Sequence, residues 1–109
     1  MEFEINGIKW TIENIDEKRM KEEVEKDGEF LGLTVYSKQK VYLLNSLSES
    51  ILIQTLKHEL THVWLDSYAH PQNDDYKYHF EQVCEIISKS NDFINEVVKR
   101  YKEVNNEKK

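Results

Sequence analysis

Apolar and polar residues alternate along the first part of the chain and then settle into helical spacing. Phe3, Ile5, Ile8, Trp10 and Ile12 alternate with polar residues, and Asn6-Gly7 breaks the run. Period two is the pattern of a half-buried strand, and Asn-Gly between two such segments signals a tight hairpin. The pattern predicts a strand over Ile8 to Glu13 and offers Glu2 to Ile5 as its partner. Asn14-x-x-Glu17 then resembles a capping box, Ile15, Met20 and Val24 form a thin apolar stripe, and Gly28 stands where a C-cap glycine belongs. An amphipathic helix is expected over Ile15 to Asp27. Leu31 to Tyr36 and Val41 to Leu44 are β-rich, and Ser37-Lys-Gln-Lys40 between them suggests a second hairpin.

Ser46-x-x-Glu49 is another capping box, and it opens the longest periodic segment. Ile51, Leu52, Leu56, Leu60, Val63 and Trp64 mark a broad apolar face, with no Gly or Pro until Pro71. His70 to Asp75 reads as a loop. A third helix is expected from about Tyr76 to Lys89, with Phe80, Val83, Cys84 and Ile87 on one side. Ser90 or Asn91 would cap a last helix carrying Phe93, Val97, Tyr101 and Val104, and the tail should fray after about residue 104. The class this predicts is α+β: a small, mostly antiparallel sheet packed on the long central helix, with further C-terminal helices.

Composition narrows the class of partner. A chain of 109 residues, 39% hydrophobic and 33% charged, is one domain spanning 1–109 with a modest core. The net charge of −6 disfavours nucleic acid and anionic membrane. The basic residues near the C-terminus, Lys99, Arg100, Lys102, Lys108 and Lys109, are interleaved with Asp92, Glu96, Glu103 and Glu107, as on a solvated helix end. No apolar run approaches a membrane span, and Met1 to Ile5 has neither the basic nor the apolar region of a signal peptide. The single cysteine, Cys84, fits a reducing compartment, so the cytoplasm is the expected location.

The chemistry concentrates in His58-Glu59-Leu60-Thr61-His62, which reads H-E-x-x-H in the middle of the long helix. Residues four apart share a helix face, so His58 and His62 can aim both imidazoles at one point, as a tetrahedral zinc requires. Glu59 points to the flank of that site, where it can take a proton from a water on the metal. A catalytic zinc wants a third protein ligand and an open position. Glu81 is the first choice, on the next helix and nineteen residues after His62. Glu85 falls four residues later on the same face and suits the second shell, accepting a free imidazole N–H to fix its tautomer. Glu85 itself, His79, His70 and Asp66 compete for the ligand position. The plainer reading of Glu81 and Glu85 is a solvated i,i+4 carboxylate pair. For a donor to the oxyanion, Tyr76, Tyr78, His79 and His70 are candidates. Leu65 and Tyr68 stand where the longer metzincin motif needs Gly and His. Trp10, Trp64 and Cys84 read as core.

These residues carry a resemblance. H-E-x-x-H followed by E-x-x-x-E on the next helix resembles the gluzincin metallopeptidases, and the thermolysin group has the same His-Glu-Leu-Thr-His string. The small size, the strand-helix-strand-strand start and the phage-like texture of the sequence are more similar to the ImmA/IrrE group of metallo-endopeptidase domains. The resemblance covers roughly Ser46 to Ser88. It implies a minimal zincin-like domain with Zn2+ held by His58, His62 and Glu81, and Glu59 as general base. It further implies an edge strand from the Leu31–Leu44 hairpin bordering a groove for an extended peptide. The substrate would be an intracellular protein, with the helix-turn-helix repressor of a phage or mobile element as one candidate. The competing expectation is a non-catalytic metal-binding, regulatory or structural phage protein that keeps the zincin fold.

Overall fold

In the computed structural model, residues 1–24, 30–68 and 80–107 are described, with the side chains of 80–89 and 106–107 outside that description. The elements run β1 (Glu2–Ile5), β2 (Ile8–Ile15), α1 (Glu17–Val24), β3 (Gly32–Val35), β4 (Lys40–Leu44), α2 (Glu49–Tyr68) and α3 (Phe80–Glu107). The first hairpin forms as the sequence predicts. Asn6 and Gly7 take φ of 51° and 76°. Positive φ at both central residues is what a type I′ turn demands, and Asn and Gly tolerate it best. β1 and β2 then pair antiparallel from Ile5↔Ile8 outward to Glu2↔Thr11.

The sheet order is β1-β2-β4-β3. β3 pairs antiparallel with β4, whereas β2 and β4 run parallel in the middle. The sheet is therefore mixed. An apolar run explains the central position of β4. Val41, Tyr42 and Leu43 are all at most 1% exposed, because this strand is covered on both faces. On one face α1 buries Met20 against Ile15, Tyr42 and Leu44, with Leu33 and Val35 packed alongside. On the other, Phe3, Trp10, Ile12, Val41 and Leu43 meet Leu56, Leu60 and Val63 of α2, and Ile94, Val97 and Tyr101 of α3. The Tyr101 hydroxyl donates to Asn14 Oδ1 at 3.0 Å, satisfying a polar tip at the edge of that core. The fold class is α+β. No helix among the described residues is long and apolar enough to cross a membrane.

The helix starts differ from the sequence expectation by two residues each. The register holds Asn14 and Ile15 in β2, opposite Leu43 and Leu44, so Asn14 is unavailable as a cap. Asp16 takes that role: its Oδ1 accepts from Arg19 N at 2.8 Å. α2 likewise follows Ser48, whose carbonyl accepts from Leu52 N at 2.8 Å, so Ser46 lies outside it. Gly28 lies outside the described residues, as does the segment 69–79.

The two C-terminal helices expected from Ser90-Asn91-Asp92 are one. α3 spans 28 residues, and at 1.5 Å per residue such a helix is about 42 Å long. That is comparable to the longest extent of the molecule, 41 Å. Ser90 explains the difference. It is 4% exposed and falls in phase with buried Ile94, Val97 and Tyr101, so a small polar residue continues the buried stripe where a cap was expected.

This yields a direct test. Pro is favoured at the first turn of a helix and costs about 3 kcal/mol or more in an interior. Asn91→Pro should cost at least that in urea unfolding; a near-neutral result would mean that a new helix starts there.

Candidate metal centre

α2 is buried along Leu56, Leu60, Val63 and Trp64, which leaves His58 and His62 on its exposed side. The hydroxyls on this helix bond to its own carbonyls: Thr55 to Ile51 O at 2.8 Å, Thr61 to Lys57 O at 2.8 Å and Ser67 to Val63 O at 2.9 Å. The two imidazoles thus keep their surface clear, and they converge. Their Nε2 atoms lie 3.2 Å apart, with ring centroids 4.9 Å apart and planes at 74°. Two nitrogens bound to one tetrahedral zinc at about 2.05 Å each would be about 3.3 Å apart. The pair therefore fits a shared metal. The same spacing also allows one ring to donate to the other.

Glu59, about 100° round the helix from His58, lies on the flank that faces the sheet. It is only 7% exposed and faces β3. Thr34 Oγ1 donates to its Oε1 at 2.7 Å and lies 3.4 Å from its carbonyl oxygen. Strand periodicity puts Gly32, Thr34 and Tyr36 on this helix-facing side, while Leu33 and Val35 pack toward α1. Gly32 is what lets the strand approach. A Cβ there would stand 2.6 Å from Thr55 Cγ2 and 3.1 Å from Glu59 Cγ. β3 is an edge strand, so the edge expected from the Leu31–Leu44 hairpin does run beside Glu59.

Tyr36 closes this row. Its ring meets Trp10 edge-on at 6.1 Å. Burial, and then the Asp66 and Glu59 carboxylates, raise its hydroxyl above the ordinary tyrosine value. The residue is nonetheless 44% exposed, so the burial is partial. Neither Thr34 nor Tyr36 carries a sequence signal beyond its place in an alternating strand. That period, read from Gly32, was the only clue that both would share a face.

Among the described residues no third His, Cys, Asp or Glu joins the two histidines, Asp66 included. Glu81 and Glu85 lie in the first turns of α3, and their side chains are outside the described residues. His70, Tyr76, Tyr78 and His79 are outside them altogether. The backbone still constrains Glu81. Lys57 of α2 faces Asn95, Val98, Lys99 and Lys102 of α3 across a shallow groove, and Ile53 faces Tyr101 and Asn105. The two helices are thus antiparallel. At 1.5 Å per residue, Glu81 sits about 21 Å along α3 from Asn95. His58 and His62 are level with the core-packed half of α3, not with its first turns.

The chain was compared with protein-family models, curated proteins and solved structures, and it matches none of them.

Gly32→Ala should cost about 1–3 kcal/mol in urea unfolding through overpacking. Thr55 cannot turn its methyl away without giving up its bond to Ile51. Thr55→Ser in that background removes the closest clash and should recover more than half of the loss; no recovery would place the strain elsewhere. For Tyr36 the neutral form is favoured by the fold. Its contribution to stability is complete below the ordinary tyrosine value near 10 and is lost as pH rises through the raised one. Tyrosinate absorbance should show this group ionising late. Asp66→Asn and Glu59→Gln should each bring it back toward the ordinary value, and wild type should lose stability at high pH faster than Tyr36→Phe.

Proposed function

We propose that the chain is a zinc-dependent metallo-endopeptidase domain of the zincin type, related to the ImmA/IrrE group, acting on an intracellular protein. One observation supports this above others: two histidines whose Nε2 atoms converge at a zinc-compatible distance, on a helix that holds Glu59 between them with a fixed carboxylate. His58 and His62 would be two protein ligands. Zinc, when bound, polarises a scissile carbonyl and makes a water nucleophilic at neutral pH. Glu59 takes the proton of the attacking water and delivers it to the leaving amine as the C–N bond breaks. Tyr36, on the same side of the sheet, would be a candidate donor to a developing oxyanion. The unpaired side of β3 would take an extended substrate as an added strand. A helix-turn-helix repressor of a phage or mobile element is the substrate class that the sequence resemblance suggests.

The third ligand is the demanding part. The resemblance names Glu81, with Glu85 orienting a histidine from the second shell. That set requires the first turns of α3 to reach the two histidines, which are level with residues further along that helix. This register favours a second reading, in which the domain keeps a two-histidine surface as a metal-binding, regulatory or structural phage component and cleaves nothing.

Zinc binding and cleavage separate the readings. Zinc should raise the melting temperature, corresponding to about 2.7 kcal/mol at a free concentration a hundredfold above Kd. His58→Ala and His62→Ala should abolish that rise. Glu59→Gln should keep zinc and lose proteolysis by about 10²–10⁴-fold. Glu81→Gln should lose the metal if it is a ligand, whereas Glu85→Gln should weaken binding by about 10–100-fold if it orients one. A chain that binds no zinc refutes the metal site. Bound zinc with no proteolysis leaves the second reading.

A further inference from the structure

We propose that Thr34 is a positioning residue for Glu59: its hydroxyl fixes one carboxylate oxygen so that the other is the one presented to the reacting water. The inference rests on the metallopeptidase reading and adds to it a residue that lies outside the motif. The bond from Thr34 Oγ1 to Glu59 Oε1 is 2.7 Å, and Glu59 as a residue is 7% exposed. At that length a hydroxyl bound to a carboxylate is among the stronger hydrogen bonds. Three further features make it a built contact. Thr34 is held by the β3–β4 ladder, in register with buried Val41. Its branched side chain has restricted χ1. Gly32, two residues earlier, brings the strand close enough that a Cβ there would meet Glu59 Cγ at 3.1 Å and Oε2 at 3.4 Å.

The consequence is a division of labour within one carboxylate. An ionised carboxylate has two acceptor oxygens. With one lone pair of Oε1 taken by Thr34 and the rotation of the group fixed, Oε2 is the oxygen with both lone pairs left to accept from water. A carboxylate free to rotate would present either oxygen in many orientations, and misplacing a general base by an ångström costs rate without costing metal affinity. Thr34 should therefore affect the chemical step and leave metal binding alone.

The test compares Thr34→Val, which keeps shape and loses the hydroxyl, with Thr34→Ser, which keeps the hydroxyl. Three quantities are read on the full chain. The first is the side-chain carboxyl 13C resonance of Glu59, assigned by its loss in Glu59→Gln. The second is zinc affinity by competition with a chromophoric chelator. The third is cleavage of fluorogenic casein by the zinc-loaded protein. Thr34→Val should move the Glu59 resonance, leave zinc affinity unchanged, and lower kcat by about 10–100-fold with KM little altered. Thr34→Ser should restore both the resonance and the rate. If Thr34→Val leaves the Glu59 resonance in place, or lowers kcat no more than Thr34→Ser does, positioning by Thr34 is refuted while the peptidase reading stands. If wild-type protein binds no zinc or cleaves nothing, the peptidase reading and this role fail together, even where the resonance reports the bond. Should Thr34→Val unfold, the serine variant and the wild-type Glu59 resonance still decide.

Discussion

The close approach of β3 to α2 is the constraint on which the site depends. A helix usually meets a sheet through side chains of ordinary size. Here the edge strand brings Gly32 against Thr55 and Glu59, and the next helix-facing residue, Thr34, donates to the buried carboxylate. A carboxylate removed from water without a partner is costly, so this acid needs the hydroxyl opposite it. The strand in turn depends on β4, which is covered on both faces and fixes the register that aims Thr34 at Glu59.

The same arrangement separates two kinds of residue within five positions. His58 and His62 point to solvent, whereas Glu59 and Leu60 point to the sheet and core. The helical repeat makes this possible: Glu59 is turned about 100° from His58, which carries it from the exposed side to the flank facing the strand. One turn of α2 therefore offers an open pair of nitrogens and a fixed acid side by side.

Local signals were legible wherever one short segment decided the outcome. Asn6-Gly7 specifies its turn because both residues accept positive φ, and the HExxH spacing brings His58 and His62 together through helix geometry alone. Signals that compete with tertiary context mislead. Asn14 and Ser46 look like caps, yet Asn14 is drawn into β2 by a parallel partner nearly thirty residues away in sequence, and Ser46 falls in the turn before Ser48. Parallel pairing of β2 with β4 leaves no mark on either strand that alternation could reveal. Ser90-Asn91-Asp92 has cap chemistry, but burial of Ser90 in phase with the stripe outweighs it. Thr34 bonds to Glu59 across twenty-five residues of sequence, and no period or motif predicts that meeting.

The exposure of the two histidines bears on how such a domain can change over generations. Because neither side chain helps fill the core, either can be replaced without dismantling the metal-free fold, and its loss is a nearly silent step for the stability of that fold. Glu59 is not free in this way, since its substitution also disturbs Thr34 and the strand beside it. Substitution should therefore reach the histidines first and leave the glutamate, which folding alone holds in place.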